Sequence, residues 1–391
     1  MNKILNTLSQ LFNPAQPIPA GVYHYQTPTD AKAQYRLHLR VNHDGEGLLV
    51  LNASTILHLN QTATEYTYQL INENSVEEVA QQIAKRYQIS QDQARVDYLD
   101  LKEKIKTLLE VPDLDPVSFL DISREDPYSG AASAPYRLDC ALTYQLPAED
   151  NPELAPVRRV DRELSTDEWK KIIDQSWEFG IPHLIFTGGE PTIREDLIEL
   201  ITHAEKNGQV TGLLTDGYKL LDKQFRNELL LSGLDHLLFL LTPENETSWK
   251  ALKVILDEDL HTTVHITINP DNLSILPKII KDIKKFGSNA ISFSTSSAKS
   301  PELNQALNGA QTIAAETDIP LKWDLPVPYS GHNPISIELE SSSSHHSGAG
   351  KAWFYVEPDG DLLPAQGINE VLGNLLKNDW IHLWKSIQES S

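Results

Sequence analysis

Sulfur is almost missing from this chain of 391 residues, in which Cys140 is the sole cysteine and Met1 the sole methionine. A disulfide needs two cysteines and a thiolate metal centre needs several, so one chain forms neither. A natural loss of sulfur and a chain recoded to remove it are the two explanations of this composition.

Basic side chains are also few, with 33 Lys and Arg against 55 Asp and Glu, which gives a formal net charge of −22. Such a charge repels phosphate backbones and anionic lipids, so neither nucleic acid nor a membrane is an expected partner. No run approaches the length of about 18 apolar residues that spans a bilayer. A cytoplasmic location is therefore predicted.

What is present is an ordinary globular composition, 40% apolar and 23% charged, over a length that suits two or three domains. A stretch rich in Pro, Asp and Ser at 111–134 reads as a linker. The predicted organisation is an N-terminal tail at 1–34, a small domain at 35–110, the linker at 111–134, a larger domain at 135–330 and a C-terminal extension at 331–391.

The small domain begins with a hairpin pattern and continues as helices. Asn42-His43-Asp44-Gly45 is a turn signal between two strand patterns, and a first helix is predicted over Asn60 to Leu70. Ser75 to Glu78 and Ser90 to Gln93 have the capping-box spacing, and Val96, Leu99, Ile105 and Leu108 are expected on the apolar face of the last helix. A winged-helix-like α+β domain is predicted.

Two strings of this domain, Leu59-Asn60-Gln61-Thr62-Ala63 and Ser75-Val76-Glu77-Glu78-Val79-Ala80, resemble the PqqD-like peptide-recognition family. The resemblance implies that a leader peptide adds as a strand to the sheet edge and packs against the last helix. The groove positions it implies are Thr55, Leu57, Tyr98 and Lys102. For Leu57 and Tyr98, simple core packing is the favoured alternative.

Strand and helix patterns alternate through the larger domain, which predicts six βα units and a parallel sheet that curves into a partial (β/α)6 barrel. The working site of such a sheet lies at the carboxyl ends of its strands. The predicted strands are Arg137 to Thr143, His183 to Phe186, Val210 to Leu214, His236 to Leu240, Thr263 to Ile268 and Ala290 to Ser294.

The turn after the second of these strands, Phe186-Thr187-Gly188-Gly189-Glu190-Pro191, resembles the substrate-clasping turn of radical S-adenosylmethionine (SAM) enzymes. Two glycines let the backbone approach a ligand, and a carboxylate such as Glu190 accepts hydrogen bonds from an ammonium. The resemblance implies a SAM-binding remnant formed by Gly188, Gly189, Glu190, Pro191 and Asp216, the last standing where the family often has Asn. SAM is therefore a candidate ligand.

The same family holds an iron–sulfur cluster on three cysteines, spaced CxxxCxxC, directly after the first strand. Leu146, Asp150 and Glu153 stand at these positions here, and Cys140 lies upstream inside the strand. Tyr355 to Ala365 resembles the start of a SPASM or twitch extension, with Ala365 where that extension has a cysteine. The resemblance therefore implies a family member without its clusters, and oxygen ligands do not normally replace thiolates around iron.

The function predicted on this basis is noncatalytic. The chain would bind a precursor peptide, or pair with a cysteine-bearing relative, in ribosomal peptide maturation. Two alternatives remain open: a non-radical enzyme that uses SAM, and a radical SAM peptide-modifying enzyme with cluster ligands from a partner chain or from oxygen donors. No catalytic residue and no metal ligand is assigned, because the sequence has no GxSxG, HExxH or Walker A motif.

Overall fold

The structure is a computed structural model that describes residues 18–28, 30–31, 34–52, 55–111, 114–120, 133–148, 150–340 and 348–390. The chain divides into two compact units, Met1–Ser133 and Ala134–Ser391. Among the described residues, no helix combines the length and the apolar character needed to cross a bilayer.

The first unit has a four-stranded antiparallel sheet in the order β1-β2-β3-β4, followed by helices. Its strands are β1 Gly21–Gln26, β2 Arg36–Val41, β3 Gly47–Leu51 and β4 Thr55–Leu59. Its helices are α1 Gln61–Ile71, α2 Val76–Tyr87, α3 Gln91–Glu110 and the short α4 Pro116–Leu120. The Ser75 capping box is present, with its hydroxyl and the Glu78 carboxylate bonded reciprocally.

Three parts of this unit differ from the expectation. Strand β1 lies inside the segment for which only a tail was predicted, and α4 lies inside the predicted linker. The apolar face predicted for α3 is right only in part, because Val96 and Leu99 are 61% and 46% exposed, whereas Ile105 is buried and Leu108 packs against the core. In the first half of the helix, α3 buries Ala94 and Tyr98.

The second unit has a nine-stranded sheet in the order β10-β9-β8-β7-β6-β5-β11-β12-β13, in which β5 to β10 are parallel. The six parallel strands are β5 Arg137–Thr143, β6 His183–Gly188, β7 Val210–Thr215, β8 His236–Leu240, β9 His261–Ile268 and β10 Ala290–Thr295. Each lies within two residues of its prediction at either end. In the described residues β10 does not pair with β5, so the sheet stays open.

Helices of the second unit follow the strands. They are α5 Thr166–Phe179, α6 Leu197–Asn207, α7 Lys223–Leu231, α8 Glu246–Leu256, α9 Leu276–Phe286, α10 Pro301–Glu316, α11 Ser336–Glu340 and α12 Trp380–Ser390. Short 3-10 turns lie at Pro152–Leu154, Val157–Arg159, Pro191–Ile193, Tyr218–Leu221 and Leu273–Ile275. The alternation brings the loops after β5, β6 and β7 to one edge of the sheet.

The C-terminal extension continues the sheet. Strand β11 Trp353–Val356 pairs in parallel with β5, then β12 Asp361–Leu363 and β13 Gly373–Asn374 pair antiparallel. Strands β11 and β12 form a hairpin. Its pairing with β5 places the end of β11 beside the loop in which the cluster cysteines were expected.

Candidate functional site

The turn after β6 packs directly against the end of β5. Gly189 N–H donates to Thr143 O at 2.8 Å and Glu190 N–H donates to Gln145 O at 2.9 Å. Gly188 has φ +132°, and a Cβ there would lie 2.1 Å from Thr143 O. Only glycine fits so close to a neighbouring backbone, so this position is dictated by the fold before any ligand is considered.

The Glu190 carboxylate is 4% exposed and accepts hydrogen bonds within the chain. Its Oε1 accepts from the Thr192 N–H at 2.9 Å and hydroxyl at 2.6 Å, and from the Thr215 hydroxyl at 2.8 Å. Its Oε2 accepts from Asp216 N–H at 2.9 Å. Glu190 therefore ties the turn after β6 to the turn after β7, and most of its accepting capacity is already used.

Asp216 lies beside Glu190 and shares a side-chain hydrogen bond with it. Burial, with the Glu190 carboxylate next to it, raises the pKa of Asp216 to about 8. The Asp216 side chain also accepts from Tyr218 N–H at 3.0 Å. At neutral pH the Asp216 carboxyl is therefore mostly protonated.

These side chains line a cavity of about 700 Å³. Asp150, Glu190 and Asp216 contribute carboxyl groups to it, and Lys219 lines it while donating to Thr192 O at 2.5 Å. His265 also lines the cavity, and burial lowers the pKa of this imidazole to about 3, so it is neutral. Because acidic groups outnumber basic ones, the cavity favours a ligand that carries positive charge.

The three positions expected to hold a cluster point into three different environments. Leu146 packs against the apolar cluster around Tyr144 and Tyr329, and Asp150 lines the 700 Å³ cavity. The Glu153 side chain is 72% exposed and pairs with Arg158 at 3.3 Å. A cluster needs ligands that converge on one point, so this donor set does not fit one.

Cys140 gives no substitute thiolate. Cys140 is fully buried within β5, and this burial raises the pKa of its thiol well above the usual value. The neighbouring Asp139 raises the pKa further. Within the described residues, no three His, Cys, Asp or Glu side chains are grouped so as to hold a metal ion. Ala365 is 7% exposed and lines a separate cavity of about 250 Å³.

An ion-pair network that sequence reasoning missed joins the loop after β5 to the C-terminal extension. Arg159 Nε donates to Glu357 Oε1 at 2.6 Å, and Tyr144 OH donates to the same oxygen at 2.8 Å. Arg159 also pairs with Glu338 at 3.3 Å. Glu357 is 1% exposed, and an acid directly after the apolar strand β11 was the one signal in the sequence.

The four predicted groove residues of the first unit lie in different environments. Thr55 and Leu57 are on the edge strand β4, and Tyr98 and Lys102 are on α3. Leu57 and Tyr98 are 4% and 2% exposed and belong to two different hydrophobic clusters. These two side chains pack inside the domain, whereas Thr55 is half-buried and Lys102 exposed.

Comparison with known proteins places the second unit. Residues 140–315, which lie in this unit, match the family model described as the Radical SAM superfamily. The PqqA peptide cyclase of Bradyrhizobium diazoefficiens is 27% identical over 256 residues, which cover 59% of this chain and 65% of that protein. The PqqA peptide cyclase of Granulibacter bethesdensis is 29% identical over 171 residues, 39% of this chain and 45% of the relative. The chain thus spans about half to two thirds of these relatives.

Solved structures extend the fold likeness over most of the chain. Streptococcus suis SuiB bound to S-adenosylmethionine superposes with a TM-score of 0.58 at 14% identity, covering 89% of this chain and 86% of SuiB. SuiB bound to its precursor peptide SuiA gives 0.56 at 13% identity, covering 88% and 86%. At such identities the likeness shows a shared α/β fold with a parallel sheet.

Proposed function

We propose that this protein is a peptide-binding radical SAM-fold protein of ribosomal peptide maturation that assembles no cluster of its own. The proposal rests on one observation: the side chains of Leu146, Asp150 and Glu153 lie in three different environments and do not converge on one point. A cluster supplies the electron that cleaves SAM in this superfamily. Without converging thiolates, the chain serves by binding a precursor peptide or a cysteine-bearing relative.

Peptide binding is supported by two lines of observation. Relatives and structural neighbours carry peptide substrates in their names, the PqqA peptide cyclases and SuiB with its precursor SuiA. In the first unit, β4 is an edge of the described sheet, where backbone groups are open to a further strand. We place the peptide along β4, with Thr55 and Lys102 as the accessible members of the groove and Leu57 and Tyr98 supporting it from the core.

The second candidate function is SAM binding without radical chemistry, and the acidic cavity favours it. SAM carries a sulfonium and an ammonium, which suit the Asp150 carboxyl group and, once it has lost its proton, that of Asp216. The hydrogen bonds already made by Glu190 and the lack of an iron anchor weaken such binding. Micromolar affinity for SAM in iron-free protein, measured by calorimetry, would favour this candidate.

Anaerobic reconstitution with iron and sulfide tests the cluster proposal. The wild-type chain is expected to take up no stoichiometric iron. The matched variant Leu146→Cys/Asp150→Cys/Glu153→Cys, which restores the CxxxCxxC spacing after β5, is expected to bind iron, provided that its loop rearranges to bring the thiolates together. Wild-type protein that retains about four irons per chain would overturn the proposal in favour of a radical SAM peptide-modifying enzyme with unusual ligands.

Hydrogen exchange tests the peptide proposal, with a short precursor peptide sought among the neighbouring genes as the probe. A peptide that adds to β4 protects the amides of Thr55–Leu59. The amides of β1 at the opposite edge, Gly21–Gln26, serve as the internal control and should not change. Equal protection at both edges, or at neither, would contradict binding along β4.

A further inference from the structure

The segment 324–333, here called the strap, follows α10 and has an irregular conformation without helix or strand. Leu325 packs against a socket formed by Ile185 of β6, Leu214 of β7 and Leu238 of β8. These three side chains are at most 1% exposed. One leucine of the strap therefore covers apolar side chains of three neighbouring parallel strands.

A side-chain amide holds the backbone of the strap by hydrogen bonds, as a peptide-binding protein holds the backbone of its ligand. Pro326 and Pro328 lack N–H groups, so between them Val327 offers the only amide. Val327 N–H donates to Gln366 Oε1 at 2.9 Å, and Gln366 Nε2 donates to Val327 O at 2.8 Å. A side-chain amide thus satisfies both backbone groups of one strap residue.

The strap also uses the backbone of the glycine turn. Tyr329 N–H donates to Gly188 O at 2.9 Å, and the Tyr329 ring lies edge-on to Tyr144 at 5.4 Å between centroids. Ser330, Gly331 and His332 then line the 700 Å³ cavity beyond the turn. The strap therefore runs from the Leu325 socket to the mouth of the cavity.

We infer that the strap is a built-in occupant of a second peptide-binding surface, formed by the Leu325 socket, Gln366 and the Gly188 carbonyl. The partner that fits this surface is an extended, proline-containing peptide that anchors a leucine and a tyrosine, and it binds by displacing the strap. The inference rests on the proposed function, since it assumes a peptide ligand. Because the strap belongs to the same chain as the surface, it competes with a free peptide at a high effective concentration. The bound strap therefore prevents weakly binding peptides from reaching the surface.

Thiol labelling in the full chain tests whether the strap opens locally. Leu325→Cys places a thiol in the strap, Leu238→Cys places one in the socket strand, and the wild type, with its buried Cys140, gives the background. Leu325→Cys is expected to label at least tenfold faster than Leu238→Cys, at a rate that low urea hardly changes. Gln366→Ala should raise the Leu325→Cys rate about tenfold through the loss of two hydrogen bonds and leave the Leu238→Cys rate unchanged.

A labelled synthetic peptide with the sequence of residues 324–333 tests the occupant. It should bind Leu325→Asp protein, whose strap is expelled from the apolar socket, at least tenfold tighter than wild type. The same peptide with its own leucine replaced by Asp is the control and should bind neither. Equal labelling rates with equal urea dependence at the two thiols, or no gain of peptide binding in Leu325→Asp, would overturn the inference. Neither assay uses the precursor peptide or β4. If the strap inference fails, the proposed function is therefore still judged by its own tests.

Discussion

The loops that follow β5 and β6 lie side by side at one edge of the sheet, yet different interactions hold them. The turn after β6 is held by its backbone, with Gly188 and Gly189 against the carbonyls of Thr143 and Gln145. The loop after β5 is held by side chains, through Arg159, Glu357 and the tyrosines around them. One loop depends on the absence of side chains and the other on their charge.

The difference explains why the motif after β6 is a poor guide to chemistry. Its glycines and Glu190 are required by the packing of the fold, so they persist whether or not SAM binds. The loop after β5 needs no thiolates for its order, because buried ion pairs connect it to β11 and to Glu338. Leu146, Asp150 and Glu153 can therefore occupy this loop without a cluster to order it.

Removing the charge that holds the loop after β5 should cause the largest loss in the free energy of unfolding. Arg159→Ala leaves Glu357, which is 1% exposed, without its cationic partner, and breaking such a buried pair costs about 3–5 kcal/mol. The neighbouring Arg158 side chain is 89% exposed, so Arg158→Ala is the matched control, with an expected change within about 0.5 kcal/mol. Urea unfolding followed by a probe in the second unit measures both. Equal effects at the two arginines would contradict a loop held by charge.

Adding one methyl group to the turn after β6 should cause the second-largest loss in the free energy of unfolding. Gly188→Ala forces a side chain into a backbone conformation of φ +132° and against Thr143 O, for a loss of about 2–4 kcal/mol. Gly309 in α10 is the control, because nothing lies within 4 Å of a Cβ there. Gly309→Ala should raise stability by about 0.5–1 kcal/mol. A Gly188→Ala chain as stable as wild type would show that the turn is not set by the backbone of β5.

The sequence predicted the six parallel strands well because each has a local signal, a short apolar run between turn residues. It missed β1, whose pattern of exposed and half-buried residues gives no such run. It also misplaced the apolar face in the first half of α3, because a 20-residue helix with scattered apolar side chains has no single clear face. Local periodicity thus predicts where strands and helices lie, but it does not always predict which side of a helix is buried.

The candidate site was predictable only in part. The glycine turn is one contiguous string, whereas Arg159 and Glu357 are separated by 198 residues and meet only because β11 pairs with β5. The strap likewise depends on contacts from Leu325 back to β6, β7 and β8. Such pairs carry no local pattern, so the fold must be known before they can be found.

The smallest effect expected concerns the proton on Asp216, where the turns after β6 and β7 meet. The pKa of its carboxyl is raised to about 8 in the folded chain, so the fold binds a proton that the unfolded chain releases above its ordinary pKa of about 4. Stability should therefore fall as pH rises between these values, by about 1–3 kcal/mol from about pH 5 to about pH 8, and fall no further from this group above that.

Asp216→Asn removes that titration while keeping an oxygen that can accept from Tyr218 N–H. Its stability should lose this slope and exceed that of the wild type near pH 8, as measured by urea unfolding across the pH range. Asp271 is exposed, and Asp271→Asn should run parallel to the wild type. A wild-type curve parallel to that of Asp216→Asn would mean that Asp216 is ionised in the folded chain. The cavity would then carry its full negative charge at neutral pH, and a cationic ligand would bind there without displacing a proton.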